Sequence, residues 1–193
     1  MNTAQNKDPS PGRVAAFSGH MVDSPGRRIP RFPEYKIEPV RREIAHALDN
    51  LNIKEGFSSA ARGGDLLFIE ELLKRDGKAH VYLPFPRDAF AQTSVGFGWD
   101  PLYFQILNDS RVQVVELAAQ LPPSGEHGRA YDHCNQIIQD EAIKSAQKAG
   151  IEPVLLTVWN GNPGDDRGGT ADAVKAWELH GYQIVVIDLA HLG

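Results

Sequence analysis

Residues 55–85 constrain the fold more than any other part of the sequence, because they contain a complete pattern of strand, turn, helix and strand. A short hydrophobic run ends at Ser58, and a glycine-rich turn follows at residues 62–65. Leucine and isoleucine then recur at helical spacing until Gly77, and a second apolar run occupies residues 79–83. This order predicts a βαβ unit with two parallel strands and a right-handed crossover.

The rest of the chain repeats this alternation of short apolar runs and amphipathic segments. Further strands are predicted at residues 13–18, 112–117, 153–159 and 183–189, and further helices at residues 37–51, 101–107, 129–149 and 170–179. Strands that are almost continuously apolar are typical of a parallel sheet covered on both faces. We therefore expect one doubly wound, Rossmann-like α/β domain over residues 13–193, with a mainly parallel sheet of about six strands. Residues 1–12 are polar and predict a disordered leader.

The composition limits the classes of function. A chain of 193 residues, 41% of them hydrophobic, can bury one full core. The net charge of -5 argues against a protein that binds nucleic acid or a membrane surface unaided. The single cysteine, Cys134, cannot form an intramolecular disulfide, and no apolar run approaches the roughly 20 residues of a membrane helix. These features predict a soluble protein of the reducing cytoplasm.

The glycine-rich turn at residues 62–65 has the properties of an anion site. The first backbone N–H groups of a helix lack partners within it, and the helix dipole adds positive potential there. Gly63 and Gly64 allow a ligand to approach the backbone closely, while Arg62 supplies a fixed positive charge. A phosphate would suit this turn, although Asp65 would repel it unless the carboxylate caps the helix or binds ribose hydroxyls. The alternative is that both glycines only permit a tight turn.

A second turn of the same kind precedes the last predicted helix. Its residues, Arg167, Gly168, Gly169 and Thr170, combine an arginine and two glycines with a hydroxyl that can cap a helix or bind phosphate. In a doubly wound sheet, ligands bind outside the carboxyl ends of the strands. The predicted ligand-binding residues at these ends are Ser18, Gly19, His20, Ser59, Arg62, Gly63, Gly64, Asp65, Arg167, Gly168, Gly169 and Thr170. Two such turns on one edge of the sheet favour a nucleotide as the ligand.

Three residues are weaker candidates for catalysis. His20 follows a predicted central strand and could act as an acid or a base, or it could cap the strand end and pair with Asp23. Glu116 ends a predicted strand, and Asp172 lies near the start of the last predicted helix. A general acid or base needs both reach and a suitable pKa, and the sequence gives neither, so no catalytic residue is assigned.

The sequence predicts no metal site and no cofactor other than a nucleotide ligand. His127, His133 and Cys134 do not have the spacing of zinc ligands. Asp165 and Asp166 could hold Mg²⁺, but a solvated loop explains them better.

Two long segments are too irregular to be single elements. Residues 21–35 contain three prolines together with Arg27, Arg28 and Arg31, which is typical of a functional loop. Residues 87–108 carry five aromatic side chains among polar residues and glycines. They predict either a lid that stacks on a planar ligand or a flap over the core. The flap is favoured, because buried aromatic residues usually belong to a core.

Taken together, these residues resemble the SLOG superfamily, a Rossmann-like group that joins the DNA-processing (Smf) proteins with the Lonely-Guy phosphoribohydrolases. Residues 61–65, Ala-Arg-Gly-Gly-Asp, are similar to the DNA-processing motif, which is followed by a helix. Residues 17–20, Phe-Ser-Gly-His, are also of the family's type. The resemblance implies a pocket for nucleotides or nucleotide-derived ligands at the glycine turns, and some members are sensor modules in nucleotide signalling.

The resemblance does not carry over a catalytic residue. Hydrolytic members have the signature Pro-Gly-Gly-x-Gly-Thr-x-x-Glu, whose glutamate helps to cleave an N-glycosidic bond. Gly169 and Thr170 match its Gly-Thr pair, but Ala173 occupies the position of the glutamate. Asp172 lies one residue earlier, and one residue rotates a side chain by about 100° around the helix. This departure favours binding over hydrolysis.

Three functions therefore stay open. They are nucleotide binding or sensing, which is favoured, hydrolysis of an N-glycoside such as a nucleoside phosphate, and an inert protein-interaction module whose glycines only form turns. A homodimer is compatible with all three, since α/β domains of this kind often pair through their helices.

Overall fold

The computed structural model describes residues 12–163 and 169–192, and these residues contain one sheet of six parallel strands. The strands are β1 (Arg13–Gly19), β2 (Ile53–Ser58), β3 (Lys78–Leu83), β4 (Val112–Glu116), β5 (Val154–Trp159) and β6 (Gln183–Asp188). Their order across the sheet is β4-β3-β2-β1-β5-β6. The predicted Rossmann-like class, with its doubly wound parallel sheet, is therefore confirmed. The predicted leader lies outside the described residues, apart from Gly12.

Six α-helices connect the strands of the described chain. They are α1 (Ile37–Asn50), α2 (Gly64–Leu73), α3 (Arg87–Phe90), α4 (Asp100–Leu107), α5 (His127–Ala149) and α6 (Thr170–Glu178). A π-helical turn, Ala91–Val95, continues α3 directly. The sequence periodicity placed four of the five longer helices within about two residues, but α2 ends at Leu73, earlier than the predicted stop at Gly77. Helix α3 and its π-helical turn fall inside the irregular aromatic segment. None of these helices is long and apolar enough to cross a membrane.

The helices cover both faces of the sheet and create a core on each. Helices α1, α2 and α4 pack on one face, where Phe17 of β1 stacks on Phe68 of α2 with ring centres 4.5 Å apart. Helices α5 and α6 pack on the other face, where the Trp177 side chain is fully buried. This two-sided burial explains why the strands are almost continuously apolar.

The direction of strand order reverses beside β1. β2, β3 and β4 follow on one side of β1, while β5 and β6 lie on its other side. Ser18 pairs with Thr157 in the β1–β5 register, and the Thr157 hydroxyl donates a hydrogen bond of 2.7 Å to the Ser18 carbonyl oxygen. The loops that leave β1 and β5 therefore diverge to opposite faces of the sheet, which creates a crevice at the carboxyl edge.

Candidate functional site

A cavity of about 310 Å³ opens at this carboxyl edge. Its walls come from the ends of β1 and β2, from the starts of α2 and α6, from α3 with its π-helical turn, and from α5. The cavity therefore lies where doubly wound sheets bind their ligands.

Most of the predicted ligand-binding residues line this cavity. They are Ser18, Gly19 and His20 at the end of β1, Ser59 after β2, Asp65 in α2, and Gly169 with Thr170 at the start of α6. Arg62, Gly63 and Gly64 do not belong to the lining. Arg167 and Gly168 lie outside the described residues, together with Asp165 and Asp166. Both predicted helix starts thus reach one cavity, but the first contributes its Asp65 side chain and no glycine.

Arg62 stabilises the loops around the cavity. The residue is 7% exposed. Its Nε atom donates to the Val22 carbonyl oxygen at 3.1 Å, Nη1 donates to the Val95 carbonyl oxygen at 3.0 Å, and Nη2 donates to Ser24 Oγ at 2.8 Å. These bonds join the loop after β1 to the π-helical turn after α3. The geometry does not support the predicted role of Arg62 in neutralising phosphate, because the protein itself uses these donors.

Phe97 stacks over the guanidinium group of Arg62. Its ring centre lies 4.8 Å from the Arg62 Cζ atom, and the residue is 65% exposed. Elsewhere in residues 87–108, Phe90 and Tyr103 are buried in the core. The segment therefore has the geometry of a flap at Phe90 and Tyr103, whereas Phe97 covers an arginine.

The glycine pair allows the ends of β1 and β2 to approach each other. Gly63 has a φ angle of +96°, and a Cβ atom there would lie 2.5 Å from the amide nitrogen of Val22. A Cβ atom on Gly64 would lie 3.0 Å from the Cα atom of Gly19. The Gly64 amide also donates to the His20 carbonyl oxygen at 3.1 Å. The tight-turn alternative fits this bend better than the anion site, since backbone contacts fill the space beside the glycines.

Asp65 joins the same strand ends through its carboxylate. Its Oδ1 atom accepts a hydrogen bond of 3.2 Å from the Gly19 amide, and its Oδ2 atom accepts one of 3.3 Å from the Ala61 amide. Burial raises the pKa of the Asp65 carboxyl group to about 7, against the opposing effect of these two bonds. The protonated form of Asp65, which predominates below about pH 7, would not repel an anion in the cavity, so the objection raised by the sequence applies mainly above that pH.

His20 connects the ends of β1 and β5. The residue is 6% exposed, and its Nε2 atom lies 3.0 Å from the Oδ1 atom of Asn160. Burial lowers the pKa of His20, and the nearby Arg31 lowers it further. The predicted alternative partner, Asp23, instead accepts hydrogen bonds from the amides of Arg31 and Phe32. A neutral His20 therefore presents one hydrogen-bonding ring nitrogen beyond its bond to Asn160.

Helix α6 presents its N-terminus to the cavity. It begins at Thr170, and the preceding Gly169 has no side chain that could cap the N–H groups of the first turn. Such N–H groups and the helix dipole favour an anion. Ala173, which stands where the hydrolytic signature has its glutamate, is buried in the core at 2% exposure.

Two of the three catalytic candidates lie away from the cavity. Glu116 ends β4, with β3 and β2 between it and β1, and it forms an ion pair of 2.7 Å with Arg87. Asp172 lies in the first turn of α6, but its side chain does not contribute to the lining. His20 is the candidate that the fold brings to the cavity.

Sequence reasoning missed five polar residues of the cavity wall, namely Arg31, Thr93, Ser94, Tyr131 and Asn135. Arg31 belongs to the loop at residues 21–35, whose composition predicted a functional loop. Tyr131 and Asn135 are four residues apart on α5, a spacing that places both on one helical face. Thr93 and Ser94 lie in the π-helical turn, a feature that has no clear sequence signal and that often occurs at functional sites.

Comparison with known proteins adds a likeness of fold. No protein-family model and no curated protein sequence matches the chain. Among solved structures, the chain is similar to DNA processing protein A (DprA) from Streptococcus pneumoniae, with 17% sequence identity and a TM-score of 0.45. The match covers 94% of this chain and 62% of that one, so the chain spans less than two thirds of the matched protein. This likeness carries no information about ligand or activity.

Proposed function

We propose that this chain binds a nucleotide or nucleotide-derived ligand in the cavity, as a binding or sensing domain. The observation that carries the proposal is the cavity itself, which lies at the reversal of strand order and is lined by the α6 N-terminus, Arg31 and His20. Its volume of about 310 Å³ falls at the lower end of the roughly 300–1,000 Å³ that small-molecule sites occupy.

The charges around the cavity support an anionic ligand. The start of α6 carries a partial positive charge, and the Arg31 side chain adds a full one. The backbone amide of Arg31 donates a hydrogen bond of 2.9 Å to the Asp23 carboxylate, which anchors the loop that carries this arginine. Among the described residues of the lining, Asp65 is the acidic one, and burial raises its pKa to about 7. The phosphate would therefore bind between Arg31 and the first turn of α6.

Calorimetric titration tests the proposal with AMP, ADP-ribose, NAD and cyclic nucleotides. We expect at least one of them to bind, and Arg31→Ala to weaken that binding by roughly tenfold or more, since a charged hydrogen bond is lost. Arg28→Ala is the matched control, because Arg28 is an exposed arginine of the same loop outside the cavity lining. Absence of heat with every probe would contradict the proposal, as would equal effects of the two substitutions.

Hydrolysis of an N-glycosidic bond is the second candidate. The observation that favours it is the presence of two titratable side chains, His20 and Asp65, in one lining. A carboxyl group with a pKa of about 7 can donate a proton to a departing base near neutral pH. Chromatography should then detect free adenine from AMP with the wild type and with Asp172→Asn, but none with Asp65→Asn. A flat product trace for the wild type would remove this candidate.

A further inference from the structure

Three hydroxyl groups form a connected chain on the cavity wall. Tyr131 of α5 places its hydroxyl oxygen 2.7 Å from the Oγ atom of Ser94, and Ser94 Oγ lies 3.2 Å from the Oγ1 atom of Thr93. All three residues line the cavity. The Tyr131 ring packs edge-on against Phe85, with ring centres 5.7 Å apart, which helps to hold the hydroxyl in place.

The end of this chain determines the direction of its hydrogen bonds. The Thr93 hydroxyl donates to the carbonyl oxygens of Ala89 and Phe90, at 3.2 and 3.3 Å. The Tyr131 hydroxyl also lies 3.4 Å from Thr93 Oγ1 and can donate to it. Each hydroxyl has a single proton, so Thr93 can only accept, from Ser94 and from Tyr131, and Ser94, which donates to Thr93, can then only accept from Tyr131. The proton of Tyr131 is thus directed into the protein wall, and its oxygen keeps a lone pair that can accept a further hydrogen bond.

From this polarity we propose that Tyr131 is a specificity-determining residue that selects ligands carrying a hydrogen-bond donor, a hydroxyl or an amino group. The inference rests on the proposed function, because it assumes that a ligand occupies the cavity. It adds a requirement to the ligand: besides the anionic group, the ligand has a donor that reaches Tyr131. A ligand with a carbonyl or ether oxygen at that place would face the Tyr131 lone pair and would bind more weakly.

A double-mutant cycle in the protein and the probe tests this requirement. The probes are AMP, 2′,3′-dideoxy-AMP, which lacks the sugar hydroxyls, and purine riboside 5′-monophosphate, which lacks the amino group. Tyr131→Phe removes the acceptor and keeps the ring, and Tyr35→Phe is the control, since Tyr35 is 71% exposed and outside the lining. We expect Tyr131→Phe to weaken AMP binding roughly 2- to 10-fold and to leave the affinity for one of the two analogues unchanged.

Ser94→Ala supplies a second, independent variant. It removes the nearer of the two acceptors of the Tyr131 proton and leaves only Thr93 Oγ1 at 3.4 Å, so the tyrosine hydroxyl is held less firmly and can turn to donate to a ligand as well as accept from it. One of the two analogues lacks the donor that reaches Tyr131. The preference of the Ser94→Ala variant for AMP over that analogue should be smaller than that of the wild type, even though Tyr131 is present.

The outcomes separate the two proposals. If Tyr131→Phe weakens the binding of AMP and of both analogues equally, or leaves all three affinities unchanged while AMP still binds, the inference is wrong and the proposed function stands. An unchanged preference in Ser94→Ala would also overturn the inference. If neither AMP nor its analogues bind to the wild type, to Tyr35→Phe or to any other variant, the proposed site fails for these nucleotides and the inference fails with it.

Discussion

The Nε2 atom of His20 lies 3.0 Å from the Oδ1 atom of Asn160, and this contact joins the ends of β1 and β5 where the strand order reverses. Because the Asn160 oxygen accepts the bond, the His20 proton belongs on Nε2, and Nδ1 is left as an acceptor. The contact therefore fixes both the ring position and the tautomer of the histidine in the cavity.

The lowered pKa of His20 makes a prediction for acid stability. The folded state binds a proton on His20 less readily than the unfolded state, so stability is lost as the pH falls below about 6.5. Relative to His20→Gln, the wild type should lose up to about 1.4 kcal/mol per pH unit in that range. Urea denaturation of both proteins between about pH 5 and about pH 8 measures the difference. Parallel stability curves would contradict the assigned neutral state.

The raised pKa of Asp65 predicts the opposite dependence of stability on pH. Its pKa is raised to about 7, so the folded state favours the protonated form, and its contribution is lost as the pH rises from about 4 through about 7. Asp65→Asn should flatten this slope by up to about 1.4 kcal/mol per pH unit. The same denaturation series measures the effect, and a slope in the variant equal to that of the wild type would show that the buried carboxylate is ionised throughout.

Arg62 is predicted to stabilise the folded protein and not to bind the ligand directly. Its guanidinium group makes three hydrogen bonds, two to the loop after β1 and one to the π-helical turn, so Arg62→Ala should lower the free energy of unfolding by about 2 to 4 kcal/mol. Arg62→Lys should recover little of this loss, because a lysine cannot reproduce the planar fork of donors. Arg28→Ala, at an exposed position, serves as the control. A fully stable Arg62→Ala variant that had lost ligand affinity would restore the anion role expected from the sequence.

Two buried hydroxyls at strand ends should respond differently to removal. Ser58 Oγ has no hydrogen-bond partner among the described residues, whereas Thr157 Oγ1 donates to the Ser18 carbonyl oxygen. Ser58→Ala should therefore be neutral or slightly stabilising, while Thr157→Val should cost about 1 kcal/mol. Chemical denaturation measures both, and an equal cost at the two positions would indicate that Ser58 has a polar partner of its own.

The fold could be predicted because local periodicity encodes it. The apolar run that became β5 and the amphipathic stripe of α1 each specify an element within a few residues of sequence. The position of the cavity could also be predicted from the sequence, because ligand sites in such sheets lie at the carboxyl ends of the parallel strands.

The roles of individual site residues depend on contacts between distant parts of the chain, and these could not be predicted. Arg62 bonds to the carbonyl oxygens of Val22, in the loop after β1, and of Val95, in the π-helical turn, and neither segment has a motif that identifies an arginine partner. Tyr131 meets Ser94 only because α5 crosses the sheet to the π-helical turn. The glycine pair was recognised, but the close approach of Gly19 to Gly64 that requires it arises from the packing of two strand ends.

The most direct test of the central claim is an NMR titration of the ¹⁵N-labelled protein with AMP. Binding in the proposed orientation should shift the backbone amides of Gly169 and Thr170 together with those of Gly19 and Arg31, and Arg31→Ala should need much more AMP for the same change. Spectra that do not change with AMP, ADP-ribose, NAD or cyclic nucleotides, or shifts confined to the surface between α1 and β6, would contradict the assignment of this cavity as the nucleotide site.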